Sequence, residues 1–68
     1  MTIGEKVTQL RESKGWTRYE LSNRSGVHST QISKLESEVG EPSIRTLKMV
    51  AKAFGKELII EFVSERLT

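Results

Sequence analysis

The segment "LSNRSGVHSTQISKLE", residues 21–36, constrains the fold more than any other part of the chain. Gly26 stands between two short polar stretches, and glycine readily takes the positive φ that a tight turn between helices requires. Four apolar residues around this glycine are spaced for burial between the two helices: Leu21, Val27, Ile32 and Leu35. We therefore predict two helices joined by a glycine turn, with the small Ser22 where their axes cross.

Capping patterns place the first two helices. Thr2 followed by Glu5 is a capping box that begins a helix over residues 3–14, which stops at Gly15. Thr17 with Glu20 repeats the box and begins a second, shorter helix that ends before the glycine turn.

Two further helices follow the turn. The third is predicted to begin near His28 or Ser29. Ser43 is the predicted N-cap of the fourth, which ends at Gly55. Apolar residues at helical spacing give the fourth helix one buried face: Ile44, Leu47, Val50, Ala51 and Phe54. Trp16 and Phe54 are predicted to pack in the core.

The tail, residues 56–68, has a different pattern. In "KELIIEFVSERLT", Leu58, Ile60 and Phe62 alternate with Ile59, Glu61 and Val63, and this period of two favours a strand. A lone strand leaves its backbone groups unpaired, so we predict pairing with the same strand of a second copy in a two-fold dimer. A helix over residues 57–66 is the alternative.

Length and composition limit the function classes. A chain of 68 residues without cysteine forms one small domain with no disulfide or thiolate metal site, so dimerisation is the expected source of extra stability. With one histidine, we predict no metal site and no nucleophile–base pair, hence no enzyme. So small a chain also lacks room for a cofactor.

Charge and hydropathy indicate the setting. The formal net charge is +2 and the sequence pI is 9.2, which is typical of nucleic-acid binding. Residues 27–43, however, carry Lys34 against Glu36, Glu38 and Glu41, so this segment is less basic than its flanks. The sequence shows no signal peptide and no long apolar run, and we expect a soluble cytoplasmic protein without membrane contact.

The third helix carries unusually many short polar side chains. Ser29, Thr30, Gln31 and Ser33 replace the Glu and Lys residues typical of a solvated helix face. Short side chains that donate and accept hydrogen bonds suit a helix that enters the major groove of DNA. The alternative is that the first of them simply cap the helix.

From Ile3 to Gly55 the chain resembles the Cro/phage-repressor class of helix-turn-helix DNA-binding domains, also called the Xre family. The matching text is "IGEKVTQLRESKGWTRYELSNRSGVHSTQISKLESE" followed by "EPSIRTLKMVAKAFG". The resemblance implies a compact lambda-repressor-like bundle over residues 1–55, acting as a dimer with the third helix in the major groove. The C-terminal strand resembles a subset of this family that includes antitoxins.

The resemblance also implies the roles of individual residues. Ser29, Thr30 and Lys34 fall at positions of base contact, although Lys34 reaches a phosphate equally well. Gln31 and Ser33 lie beside them and face base or backbone.

The remaining positions are assigned to the DNA backbone or to solvent. Arg18, where the family commonly has Gln, is expected at a phosphate or in solvent, and His28 as an N-cap or phosphate donor. Ser43 and Arg45 are expected at backbone phosphates, and Tyr19 at the core rim or a phosphate. Three lysines are expected to be solvated: Lys48, Lys52 and Lys56.

Two functions remain open from the sequence. The first is a homodimeric repressor that binds an operator of two-fold symmetry, with Leu58, Ile60 and Phe62 at the dimer interface. The second is an antitoxin that binds a protein toxin and represses its own operon.

Overall fold

The computed structural model describes residues 2–62, and these contain four helices joined by short loops. They are α1 (Ile3–Ser13), α2 (Arg18–Ser25), α3 (Ser29–Ser37) and α4 (Ile44–Ala53). α3 packs against α1 and α2, and α2 packs against α4. The predicted four-helix bundle is therefore confirmed.

The predicted N-caps are present. In each, the side-chain oxygen accepts the backbone N–H three residues later, at 3.2 Å for Thr2, 3.0 Å for Thr17 and 3.1 Å for Ser43. These bonds satisfy donors that a helix N-terminus leaves unpaired. The starts of α1, α2 and α4 are thus fixed by local sequence.

The turn between α2 and α3 has the predicted left-handed glycine. Gly26 has φ 78° and ψ 7°, and its N–H donates to the carbonyl oxygen of Ser22 at 2.9 Å. The hydroxyl of Ser22 donates to the carbonyl oxygen of Val27 at 2.6 Å, so the small side chain also holds the chain as it leaves the turn. These two bonds set the direction in which α3 begins.

The core is a single apolar cluster to which all four helices contribute. It includes the four predicted residues around the glycine turn. The buried members are Val7, Leu21, Val27, Ile32, Leu35, Val50 and Phe54. Trp16 packs against this cluster, and its ring stacks on Phe54 at a centroid distance of 5.6 Å. Ile44 departs from the predicted buried face of α4, because its side chain is exposed.

A buried carboxylate joins three helices, which the sequence pattern did not indicate. Glu36 of α3 has a side chain only 1% exposed. It accepts two hydrogen bonds from Arg11 of α1, from Nε at 2.7 Å and from Nη2 at 3.0 Å, and a third from Nε of Arg18 of α2 at 3.0 Å. Arg11 also donates from Nη1 to the carbonyl oxygen of Trp16 at 2.8 Å. We call these three charged side chains, Arg11, Arg18 and Glu36, the ion cluster.

The ion cluster shifts the titration of its members. Burial acts to raise the pKa of Glu36, but hydrogen bonds from Arg11 and Arg18 outweigh it, so the pKa lies below its ordinary value of 4.5. The hydrogen bond to Glu36 raises the pKa of Arg11. The folded protein therefore favours the charged form of both side chains.

The tail has no regular secondary structure over the described residues 56–62, and residues 63–68 lie outside them. Neither the predicted strand nor the alternative helix is formed in this stretch of the single chain. Leu58 is half-buried and lines an apolar groove of about 390 Å³ between α1 and α4, whereas Ile60 and Phe62 are exposed. A strand forms only where a partner pairs with its backbone groups. Pairing between two copies therefore stays a prediction.

The helices within residues 2–62 are all short, since the longest, α1, has 11 residues. No helix there is long and apolar enough to cross a membrane.

α1 approaches α3 closely at Gly4, which is buried. A Cβ atom built on Gly4 would lie 2.5 Å from the carbonyl oxygen of Leu35 and 3.0 Å from that of Glu36. Backbone atoms cannot move aside as a flexible side chain can. Gly4 thus permits α1 to reach the end of α3 that carries the buried carboxylate.

We expect Gly4→Ala to lower the free energy of unfolding by about 1–3 kcal/mol, because the added methyl overpacks the contact between α1 and α3. Without that contact, alanine would stabilise a helix interior relative to glycine. Urea denaturation followed by circular dichroism measures the change. Gln9→Ala, at an exposed position of α1, is the control and should change stability by less than about 0.5 kcal/mol. A Gly4→Ala protein as stable as the wild type would contradict the close approach.

The free energy of unfolding is also expected to fall in acid. Because the folded-state pKa of Glu36 is lowered, its contribution is complete above the unfolded-state value of about 4.5 and is lost as the pH falls through the folded-state pKa. Urea titrations at neutral pH and at about pH 3 measure the loss. Carbon NMR of the Glu36 carboxyl group should give a midpoint below 4.5. A midpoint above that value would mean that burial, rather than the arginines, dominates.

Candidate nucleic-acid interface

α3 presents a polar face to solvent. Ile32 is buried, and Thr30 and Lys34 lie about 160° from it around the helix axis, since each residue turns the helix by about 100°. Both side chains are exposed. Ser37 lies about 140° from Ile32, is also exposed and was not singled out from the sequence. We call Thr30, Lys34 and Ser37 the outward face of α3.

Two of the other predicted polar residues of α3, Gln31 and Ser33, border this face. Ser33 and Gln31 lie about 100° from Ile32 on opposite sides of the helix. Gln31 is exposed, whereas Ser33 and Ser29 are half-buried. The structure thus brings Thr30, Lys34, Gln31 and Ser33 to the outward face and its two edges. Ser29, about 60° from Ile32, lies nearer the buried side of the helix.

His28 is the N-cap of α3, which is one of its two predicted roles. Its Nδ1 accepts the backbone N–H of Thr30 at 3.1 Å, and its side chain is exposed. An accepting Nδ1 carries no proton, so the neutral ring has its proton on Nε2, which can donate. The same side chain therefore begins the helix and offers a hydrogen-bond donor.

The N-terminus of α4 lies along one edge of α3. A surface groove is lined by His28 and Gln31 together with Arg45, Thr46 and Met49. Arg45 is exposed and therefore adds a positive charge beside the Gln31 edge. Ser43 is exposed too, but its hydroxyl is engaged as the cap of α4 and donates to Oγ1 of Thr46 at 2.9 Å.

The N-terminus of α2 lies along the other edge. Arg18, the first residue of α2, is bonded to Glu36, which lies about 40° from Ile32 on the same side of α3 as Ser33. The side chain of Arg18 is 48% exposed. Arg18 is therefore held against α3 rather than extending freely into solvent.

The ion cluster changes the electrostatics expected of residues 27–43. Glu36 is buried against two arginines, so its charge is withdrawn from the surface. Glu41 remains exposed, in a depression that it lines together with Gln31 and Lys34. The arginines that flank α3 come from α2 and α4, which is why the local sequence of α3 looked poor in positive charge.

Tyr19 was predicted to lie either at the core rim or at a phosphate. Its side chain is 70% exposed, so it does not lie at the core rim. Ser37 could have been found from the sequence, because it follows Ser33 by four residues and Lys34 by three. The pairing of Arg18 with Glu36 had no such local signal.

Comparison with known proteins identifies the architecture independently. A family model described as helix-turn-helix matches residues 7–59, which is more than half of the chain. A segment of 55 residues is 41% identical to the HTH-type transcriptional activator BcrR of Enterococcus faecalis and covers 81% of this chain and 27% of that protein.

Two further relatives match the same part of the chain. The immunity repressor protein of Bacillus phage phi105 is 27% identical over 55 residues, which are 81% of this chain and 38% of that protein. An uncharacterised HTH-type transcriptional regulator, y4dJ, of Sinorhizobium fredii is 36% identical over 53 residues, which are 78% of this chain and 69% of that protein. The chain thus corresponds to less than half the length of the first two relatives, and the family points to a non-enzymatic protein.

Proposed function

The chain belongs to the helix-turn-helix family of Cro and phage-repressor type, and from this premise we propose that it binds double-stranded DNA as a homodimeric transcriptional repressor. The observation that carries the proposal is the outward face of α3, which is polar and exposed, with Arg18 and Arg45 along its two edges. A helix in the major groove meets base edges in front and a phosphate backbone on each side. We also propose a cytoplasmic location, which the absence of cysteine favours.

The proposal divides the residues by role. Those of α3 read bases, since a threonine methyl packs on the thymine methyl, glutamine pairs with adenine and lysine reaches guanine. They are Ser29, Thr30, Gln31, Ser33 and Lys34. The residues at the helix N-termini bind phosphates, where the helix dipole adds to the attraction. They are Arg18, His28, Ser43 and Arg45.

The dimer is proposed from the apolar tail. Phe62 is fully exposed and Ile60 is largely exposed, while Leu58 lines the groove beside α1. Exposed apolar side chains in succession favour an interface over contact with water. We propose that two tails pair as antiparallel strands, which would satisfy backbone groups that a single chain leaves unpaired.

An antitoxin function is the alternative, because the same apolar residues could contact a protein toxin. A neighbouring gene for a small toxin, or a second chain that co-purifies with this one in fixed proportion, would favour it.

Selection from random duplex DNA tests the proposed function. We expect enrichment of a two-fold symmetric sequence with half-sites about 34 Å apart, or a multiple of it. Thr30→Leu should cost about 1–3 kcal/mol per lost base contact and change the preferred base. Arg18→Ala should instead weaken binding to all sequences and lower the slope of log affinity against log salt by about one phosphate.

Lys48→Ala is the matched control, because Lys48 is exposed on α4 and has no proposed DNA contact. It should leave base preference unchanged and weaken binding less than Arg18→Ala. If no sequence is enriched, the DNA-binding proposal fails and the protein-binding alternative takes its place.

Sedimentation equilibrium tests the dimer. We expect the wild type to be a dimer and Phe62→Ser to raise the dissociation constant about a hundredfold or more, since each dimer loses two buried phenyl groups. Val39→Ser is the control, because Val39 is also exposed and apolar but lies between α3 and α4. A Phe62→Ser protein that dimerises as tightly as the wild type would exclude the tail from the interface.

A further inference from the structure

The two arginines of the ion cluster use their hydrogen-bond donors differently. Arg11, whose side chain is only 12% exposed, uses Nε and Nη2 on Glu36 and Nη1 on the carbonyl oxygen of Trp16. Arg18 is 48% exposed and uses only Nε on Glu36 among the residues that the structure describes. The Nη groups of Arg18 are thus left to donate elsewhere.

The carboxylate that holds Arg18 lies on the Ser33 side of α3, about 40° from the buried Ile32. Glu36 directly precedes Ser37 and lies one turn after Ser33, on the same side of the helix. A planar guanidinium held at Nε has its remaining N–H groups in fixed directions. A bond to Glu36 therefore determines where, along this edge of α3, Arg18 offers its positive charge.

We propose that Glu36 is a positioning residue for DNA binding: it holds Arg18 ready to bind a backbone phosphate at the edge of the groove that α3 enters. Arg11 completes the device, because it neutralises the buried carboxylate and fixes it against α1 and the backbone of Trp16. A pre-ordered arginine loses less side-chain freedom when it binds a phosphate than a free one does. This inference rests on the proposed function.

The sign of the effect separates this role from a purely electrostatic one. An acidic side chain near DNA ordinarily repels phosphates, so its replacement by a neutral amide strengthens binding. Glu36→Gln removes a negative charge but also weakens the hold on Arg18. We therefore expect it to weaken binding, against the direction that charge alone dictates.

The first experiment measures affinity and its salt dependence by fluorescence anisotropy, on the duplex most enriched by the wild-type protein. We expect Glu36→Gln to bind about three- to tenfold more weakly and to lower the salt slope by up to about 0.9, as Arg18→Ala does. Glu38→Gln is the matched control, since Glu38 is an exposed acid near the same end of α3 with no arginine partner among the described residues. It should bind equally or more tightly with an unchanged slope.

A double-mutant cycle isolates the coupling. In the Arg18→Ala background, Glu36→Gln should no longer weaken binding, because the residue through which it acts is absent. Equal losses in both backgrounds, or a Glu36→Gln protein that binds like Glu38→Gln, would overturn the proposal.

A second variant guards against unfolding, since Glu36→Gln leaves Arg11 buried without its carboxylate. Arg11→Met combined with Glu36→Met removes both buried charges, which proteins often tolerate, and leaves Arg18 and the net charge unchanged. When circular dichroism shows it folded, it should have the reduced salt slope, and a wild-type slope would overturn the proposal. If the wild type itself shows no salt-dependent DNA binding, the proposed function fails, whereas an effect of Arg18→Ala without one of Glu36→Gln removes this inference alone.

Discussion

The arrangement of the helices depends on one buried carboxylate that three helices share. Glu36 of α3 accepts hydrogen bonds from Arg11 of α1 and Arg18 of α2, and Arg11 continues to the backbone beside Trp16. Burying these charges is costly, and only short, well-directed bonds offset the loss of hydration. What these bonds add is a fixed orientation of the helices. Apolar packing alone tolerates small rotations of short helices, whereas hydrogen bonds from two guanidinium groups to one carboxylate hold the helices in a single orientation. In a core of so few buried side chains, that constraint matters.

The same interaction connects the fold with the surface that we propose for DNA. Because Glu36 is turned inward, its negative charge does not lie beside the outward face of α3. Because Arg18 is bonded to Glu36, a positive charge lies at one edge of α3. Arg45 supplies another positive charge at the opposite edge. His28 has a comparable double role, since its ring caps α3 and retains a donor on Nε2. Structural bonds thus place the groups that are available for recognition.

The apolar residues of the tail are only partly covered by the single chain. Leu58 is half-buried where it lines the groove between α1 and α4, but Phe62, four residues later, is fully exposed. A strand at this place would need hydrogen bonds from another strand, and residues 2–62 form four helices and no strand that could provide them. The alternating pattern of residues 58–62 can therefore form a paired strand only with a second copy or with another protein.

Local sequence determined where the helices of this protein begin and turn, and it determined the residues of the inner faces except at Ile44, which is exposed. Thr2, Thr17 and Ser43 cap their helices through bonds that span three residues, and Gly26 makes the turn through its own backbone freedom, so each signal is complete within a short stretch of chain. The polar residues of α3 could be identified in the same way, from helical spacing next to a buried Ile32. Only the tertiary structure decided that Gly4 must lack a side chain, that Arg18 is held at an edge of α3 and that Glu36 is buried rather than exposed. These features depend on contacts between residues 18 or more positions apart, and no short-range pattern of polarity distinguishes a charged residue that meets such a partner from one that remains in water.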